Sequence, residues 1–297
     1  MTAAHATGRE TRRSPVLWGV GVGAVILLVV SFTQFGTHPK STSTRRFISL
    51  SPAISATLVA IGARAQLVGV SDYCHFAVDV GSISRVGSGY TPRYEAIVAL
   101  APSAVFVEAV NAANVAQLSN VVRVEALPWL TLDDVIRSTR RMGVTTNHTS
   151  LADKLATDYA RQLSSNVDPD SPRILMTVAH VPGALREVVF IRKNSIHGRV
   201  LEAAGAKNAV EEDVPEAPRL SLEQVVTRNP DGIVILESAP AADPRLVEDW
   251  RKLSVLRAVK TNQIVIIAAP DVAIPGPQLL ELAKRLALAI RAWKKAA

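Results

Sequence analysis

Short runs of β-branched and aliphatic residues alternate with longer amphipathic segments from residue 47 to the end of the chain. The predicted strands are 47–50, 67–70, 104–107, 121–125, 173–178, 188–191, 232–236 and 264–268. The predicted helices are 54–61, 94–100, 114–120, 132–142, 151–163, 196–204, 222–228 and 278–293. Because parallel strands need long crossovers that are usually helices, this alternation predicts α/β layers built on parallel sheets.

A predicted helix near the middle of the chain separates two such α/β series. Apolar residues recur at helical spacing from Leu151 to Leu163, and Thr149 and Ser150 are suitable N-caps. A helix of this length would act as a stiff strut, whereas a Gly/Ser-rich linker would let the two blocks move freely. We therefore predict an N-terminal lobe at 46–148, a connecting helix at 149–168 and a C-terminal lobe at 171–297.

The N-terminal segment contains a long uncharged stretch. The twenty-four residues from Ser14 to Thr37 carry no charge, and as a helix they would extend about 36 Å, enough to cross a bilayer core. Arg9, Arg12 and Arg13 precede the stretch, which places the N-terminus in the cytoplasm and the rest outside. The predicted parts are a cytoplasmic tail at 1–15, a transmembrane anchor at 16–36 and a tether at 37–45.

A cleaved signal peptide is the alternative for this segment. Its apolar region would be shorter, about 7–15 residues, and a small-x-small cleavage site would follow it. The residues from Ser31 to Phe35 offer no such site. The pattern favours a retained anchor, with the folded part in the periplasm or the extracellular space.

Charge, cysteine content and motifs narrow the class of protein. The net charge is +7, but residues 1–45 carry five basic residues against one acidic residue, so the remainder is only weakly basic. Without a basic stripe or a binding motif, nucleic acid is not a predicted partner. The single cysteine, Cys74, excludes an internal disulfide and a zinc site built from cysteine pairs. Nucleophile-elbow, P-loop and dinucleotide-binding motifs are absent from the sequence, so we predict that the chain is not an enzyme.

Several segments resemble the periplasmic binding proteins of ABC importers for cobalamin and iron-siderophores. They are FISLSPAI at 47–54, LVGVSDYC at 67–74, YEAIVALAPSAVF at 94–106, LEAAGAKN at 201–208, SLEQV at 221–225 and NPDGIVI at 229–235. The ordered set extends from about residue 46 to the C-terminus. The resemblance implies two Rossmann-like α/β lobes joined by one long helix, with a ligand in the cleft between them.

The resemblance also implies that the chain is the extracytoplasmic solute-binding component of an ABC importer. The ligand would be cobalamin, haem or a ferric siderophore, and the partners of this monomer would be the ABC permease and its ATPase. Glu95 and Glu223 match the glutamate that, in each half of the family's proteins, docks to permease arginines. Two separated carboxylates would fix orientation as well as attraction. Alternatively, each is an exposed acid that the helix dipole favours.

Ligand-binding candidates come from the same resemblance. Tyr73 and Asp271 match positions that face the ligand in the family, although Tyr73 is equally well explained as a partly buried loop aromatic. Tyr90 adjoins a position where cobalamin binders carry a tryptophan against the corrin ring. The positions of these tryptophans are Gly89, Glu108 and Ala217 here. Because flat aromatic walls suit a large macrocycle, their loss weakens the case for cobalamin itself.

Other polar residues leave alternatives open. His75, His148, His180 and His197 have no helical i, i+4 pair, so no metal site is predicted. The basic residues that would suit an anionic chelate are Arg93, Arg186, Arg192 and Arg219. The altered aromatic positions also keep open a membrane-anchored sensor or scaffold with the same fold, and an anchored α/β enzyme is a weaker alternative.

Overall fold

The computed structural model describes residues 45–74, 80–109, 112–212 and 218–296, apart from the side chains of 112, 113 and 296. The described residues belong to one compact unit, Arg45–Ala297. The predicted tail and anchor, and nearly all of the tether, lie outside the described residues. Within the described ranges, no helix has both the length and the apolar character that a membrane span requires.

The first sheet contains five parallel strands in the order β3-β2-β1-β4-β5. They are β1 (Phe47–Ser49), β2 (Leu67–Val70), β3 (Ser84–Arg85), β4 (Ala104–Glu108) and β5 (Val124–Leu127). The helices between them are α1 (Pro52–Ala60), α2 (Tyr94–Ala99) and α3 (Ala112–Ser119). The predicted parallel α/β arrangement is confirmed here. The strand predicted at 121–125 was placed too early, because Val121 is half exposed and pairing with β4 begins at Val124.

Two antiparallel helices, α4 (Leu132–Thr146) and α5 (Thr149–Gln162), follow the first sheet. Asn147 makes the turn between them in the left-handed conformation, with φ of 63°. The helices approach closely, since a Cβ atom on Gly143 would lie 2.3 Å from the Cβ of Ala152. The prediction that one helix continues to residue 168 was wrong. The helix ends at Gln162, and its N-cap is His148, without a side-chain hydrogen bond, rather than Thr149 or Ser150.

The second sheet has four parallel strands in the order β11-β10-β6-β8, beside an antiparallel pair of β7 with β9. The strands are β6 (Arg173–Val178), β7 (Glu187–Val189), β8 (Lys207–Asn208), β9 (Arg219–Ser221), β10 (Gly232–Glu237) and β11 (Ile264–Ala268). The helices are α6 (Ile196–Ala203), α7 (Leu222–Arg228), α8 (Arg245–Arg251), α9 (Arg257–Lys260) and α10 (Leu279–Ala296). The elements β3, β8, β9 and α9 were not predicted, because two to four residues give no readable periodicity. The seven-residue helix α8 was not predicted either.

One hydrophobic cluster is shared by both sheets and the helices between them. It includes Phe47 on β1, Tyr159 on α5 and Met176 on β6, all at most 2% exposed. Phe47 also packs against Phe106, with ring centroids 5.3 Å apart. Two smaller clusters cover the opposite face of each sheet. Because separating the sheets would expose buried apolar side chains, this core opposes large relative motion of the two halves.

Candidate functional site

The strand order of the first sheet creates a crevice at the carboxyl ends of β1 and β4. The chain proceeds from β1 to β2 and β3 in one direction, and from β4 to β5 in the other. In open parallel sheets, ligands bind outside the carboxyl ends of the strands where the order reverses in this way. Ser51 follows β1 and Glu108 ends β4, so both residues lie at this crevice.

Ser51 and Glu108 are joined by a hydrogen bond. The Ser51 hydroxyl donates to Glu108 Oε1, while Ser51 Oγ accepts from the backbone N–H of Ile54 at 3.4 Å and so caps α1. Burial raises the pKa of Glu108, and the hydrogen bond from Ser51 opposes that rise. The candidate site therefore contains the half-buried carboxyl group of Glu108. The sequence had singled out this position only because cobalamin binders carry a tryptophan there.

The two candidate tyrosines lie on loops at the same edge of the first sheet. Tyr73 follows β2 and is 60% exposed, and Tyr90 lies in the turn after β3 and is 73% exposed. The backbone N–H of Asp72 donates to the carbonyl of Gly87 at 2.8 Å, which links the two loops. The side chain of Asn114 donates to the carbonyl of Tyr90 at 2.9 Å. Asp72, beside Tyr73, and the backbone of Tyr90 are therefore held by hydrogen bonds, while both tyrosine rings stay open to solvent.

The turn that carries Tyr90 has a fixed geometry. Gly87 has a φ of +88°, and a Cβ at this position would lie 2.2 Å from the carbonyl oxygen of Thr91, so only glycine fits. Arg93 forms an ion pair with Asp72 at 2.8 Å and also donates to the carbonyl of Arg85 at 2.8 Å. Since the guanidinium of Arg93 is engaged in holding this turn, it is a poor candidate for the ligand contact predicted for it.

Cys74 directly follows Tyr73 in the loop after β2. Its thiol is fully buried and 3.1 Å from the hydroxyl of Ser55, and burial raises the pKa of Cys74. These features are typical of an unreactive packing residue. The neighbouring candidate, His75, falls outside the described residues.

At the second sheet, Asp249 fixes the loop that follows β6. Its carboxylate accepts from the backbone N–H of Gly183 at 2.6 Å and lies 3.0 Å from His180 Nε2. Lys252 pairs with it at 2.7 Å. Hydrogen bonds from Lys252, Gly183 and His180 lower the pKa of Asp249 to about 2. His180 thus has a structural partner, and Asp249 is a structural residue that the sequence did not reveal.

Asp271 lies in the loop between β11 and α10 and is half buried. Its carbonyl accepts from the backbone N–H of Ile274 at 2.9 Å, which tightens the loop. The indole N–H of Trp129, in the loop after β5, donates to the carbonyl of Pro275 at 2.7 Å. This bond ties a loop of the first sheet to the Asp271 loop. Among the described residues, no hydrogen bond or ion pair joins Asp271 to either Tyr73 or Tyr90.

The two docking candidates occupy corresponding places in the two halves. Glu95 is the second residue of α2 and Glu223 the second residue of α7, and both side chains are exposed. A hydrogen bond with the Ser221 side chain lowers the pKa of Glu223. Both carboxylates are therefore accessible to a partner, and both also occupy positions that the helix dipole favours.

The remaining candidates do not converge on one site. Arg219 pairs with Glu187 across the β7–β9 strands, and Arg186 is exposed. His148 lies between α4 and α5, and His197 is buried at the start of α6. Over the described ranges, no group of three or more potential metal-ligating side chains comes together.

Comparisons with known proteins agree with this architecture. A sequence model of the periplasmic binding protein family matches residues 48–270. The vitamin B12-binding protein of Pectobacterium atrosepticum is 28% identical over 204 residues, which cover 64% of this chain and 71% of that protein.

Solved structures show the same fold. The periplasmic vitamin B12 binding protein BtuF of Vibrio cholerae superposes with a TM-score of 0.69 at 21% identity, covering 84% of this chain and 98% of that one. A periplasmic heme binding protein from Pseudomonas aeruginosa gives a TM-score of 0.67 at 20% identity, covering 83% and 92%. With a family match over most of its length, the chain belongs to the periplasmic binding protein family, whose members are substrate-binding proteins of transporters rather than enzymes.

Proposed function

We propose that this protein captures a cobalamin-like or iron-chelate ligand outside the cytoplasm and delivers it to an ABC importer. The observation that carries the proposal is the pair of exposed tyrosines, Tyr73 and Tyr90, at the carboxyl edge of a parallel sheet whose strand order reverses. Large exposed aromatic rings on a rigid frame suit a flat macrocyclic or chelate ligand. The names of the similar proteins, which refer to vitamin B12 and heme, support this ligand class.

The proposed cleft lies between an N-terminal lobe at 46–148 and a C-terminal lobe at 171–297. Tyr73 and Tyr90 would contact the ligand from the first lobe and Asp271 from the second. The hydrophobic core shared by both sheets supports a cleft of nearly constant shape. A preformed cleft reduces the entropic cost of binding, because few groups are ordered when the ligand enters.

Calorimetric titration with vitamin B12, haem and a ferric siderophore tests the ligand class. We expect saturable binding of at least one of them, weakened by about tenfold or more in a Tyr73→Ala, Tyr90→Ala double variant, because two aromatic contact surfaces are lost. Tyr94→Ala is a matched control, since the Tyr94 hydroxyl donates a hydrogen bond to the side chain of Gln117 on α3. If none of the three ligands binds, the proposal is wrong.

Delivery would use Glu95 and Glu223 as contacts to arginines of the permease. The support is their matching place at the second position of an exposed helix in each half. Glu95→Ala and Glu223→Ala should each weaken association with the cognate permease complex by about tenfold or more, since a carboxylate–guanidinium pair is lost. Ligand affinity should not change.

Glu248→Ala supplies the control for docking, because Glu248 is also an exposed first-turn glutamate but belongs to no matched pair. Association would be measured with the importer in lipid nanodiscs. If Glu95 and Glu223 serve only their own helices, their replacement will lower the melting temperature and leave permease association intact, which would contradict the docking proposal.

Membrane attachment through 16–36 belongs to the same proposal and rests on the uncharged stretch behind three arginines. We also expect a monomer, since one chain supplies both proposed docking glutamates. N-terminal sequencing of the protein from isolated membranes, combined with light scattering in detergent, tests both points. A mature N-terminus beyond residue 36 would contradict the anchor, and a dimeric mass would contradict the monomer.

A further inference from the structure

Glu108 is an acidic group at the carboxyl end of β4 with spare hydrogen-bonding capacity. Its Oε1 accepts from the Ser51 hydroxyl, and within the described residues its Oε2 accepts no hydrogen bond. Among the described residues, no lysine, arginine or histidine forms an ion pair with Glu108. Ion pairs form instead at other carboxylates nearby, such as Asp72 with Arg93.

Burial makes this spare acceptor important. The carboxyl group is partly removed from water, which raises the pKa of Glu108 and penalises the charged form. A half-buried acceptor gains from any donor that a ligand supplies, since the alternative is an incompletely satisfied polar group. A ligand carboxylate at the same place would add repulsion between like charges.

Vitamin B12 and haem, which appear in the names of the similar proteins, differ in the hydrogen-bonding groups at their periphery. The periphery of vitamin B12 carries neutral carboxamides, whose N–H groups donate hydrogen bonds. The periphery of haem carries propionates, which at neutral pH only accept them. Among the described residues, a Cβ added at Gly89, in the loop after β3, would have the Leu50 carbonyl oxygen, at 3.7 Å, as its nearest neighbour.

We propose that Glu108 sets the ligand specificity of this cleft by accepting a hydrogen bond from a carboxamide of a corrinoid and by disfavouring the carboxylates of haem. This inference rests on the proposed function and names the ligand within the proposed class. Ser51 positions the carboxylate by holding Oε1, which leaves Oε2 for the ligand.

Glu108→Gln is the direct test, because glutamine keeps the shape of glutamate, loses the charge and gains a donor. Vitamin B12 binding would be measured by calorimetry and ferric haem binding by the absorbance of the bound porphyrin. The unaltered protein should prefer vitamin B12 to haem by at least about tenfold, and the preference should fall by roughly tenfold to a hundredfold in the variant, as for one hydrogen bond to a charged group.

Two further variants complete the design. Glu281→Gln removes the same charge from an exposed position on α10 and should leave both affinities unchanged. Glu108→Ala should reduce vitamin B12 affinity as Glu108→Gln does, without the gain for haem that a new donor brings. Circular dichroism melts would establish that each variant is folded.

The outcomes separate this inference from the proposed function. A preference for haem in the unaltered protein, or a preference for vitamin B12 that Glu108→Gln changes by less than about twofold, overturns the role of Glu108 and leaves ligand capture intact. Binding of neither ligand overturns the inference. If the ferric siderophore also fails to bind, the proposed function falls with it.

Discussion

Burial of His197 should make the protein lose stability on acidification through one identifiable side chain. His197 lies at the second position of α6 and is 7% exposed, and its Nε2 has no hydrogen-bond partner in the described residues. Burial lowers the pKa of His197 from 6.5 to about 4, although a hydrogen bond to the backbone of Val272 favours the protonated form. The folded protein therefore keeps this imidazole neutral at a pH where an unfolded chain protonates it.

The sign and size of the effect follow from this difference. As the pH falls from about 6.5 to about 4, the unfolded state binds a proton that the folded state does not, so the free energy of unfolding decreases. At about 1.4 kcal/mol for each pH unit, the loss attributable to His197 is about 3 kcal/mol. The contribution is fully present above pH 6.5 and is lost by about pH 4, below which both states are protonated.

Urea unfolding near pH 7.5 and near pH 4 would measure the effect in the unaltered protein, His197→Gln and His197→Leu. Other groups titrate too, so the informative quantity is the unaltered protein minus each variant. That difference should decrease by about 3 kcal/mol on acidification, equally for both variants, because neither titrates. The two variants would differ only by an offset that does not depend on pH. A difference that stays constant to within about 0.5 kcal/mol would refute the reasoning.

Two further predictions concern packing and a buried charge. Gly143→Ala should lower the free energy of unfolding by about 1–3 kcal/mol, since its Cβ would lie 2.3 Å from that of Ala152; Val144→Ala, at an exposed position, is the control in urea unfolding. Asp249→Asn should lower the free energy of unfolding by about 2 kcal/mol near neutral pH, because the charge-assisted hydrogen bonds from Lys252, Gly183 and His180 are weakened. Since the pKa of Asp249 is lowered to about 2, this loss of stability should be fully present above pH 4 and disappear as the pH falls through 2. Urea unfolding that still shows the loss below pH 2 would contradict the prediction.

The elements that the sequence predicted best are those with strong local patterns. The limits of β2, β6, β11 and α7 agree with the predicted residues 67–70, 173–178, 264–268 and 222–228. In β6 and β11, consecutive β-branched and aliphatic residues mark a parallel strand, which is mostly buried in β6 and half buried at the sheet edge in β11. In α7, Ser221 and Gln224 form a capping box that marks the first turn. The sequence therefore predicted the limits of an element correctly where residues in or beside that element determine where it begins and ends.

The site was harder to predict because its contacts join distant parts of the chain. Ser51 and Glu108 are 57 residues apart, and Trp129 and Pro275 are 146 residues apart. No periodicity or spacing indicates either contact, since each depends on which strands become neighbours in the sheet. The Ser-Pro pair at 51–52 was a readable N-cap signal, yet the helix was predicted to begin at 54.

The shared core has a consequence for how ligand specificity can vary in this protein. Tyr159 on α5 and Met176 on β6 are completely buried in the cluster that also includes β1, so a change in the angle between the sheets would disturb tightly packed side chains. Strand ends and the loops that follow them carry no such constraint. If the proposed function is correct, exchanging a residue there, such as Glu108 or Tyr90, would alter ligand preference while the frame stays fixed. For this reason we expect specificity to follow the chemistry of a few side chains at the crevice rather than the motion of the two halves.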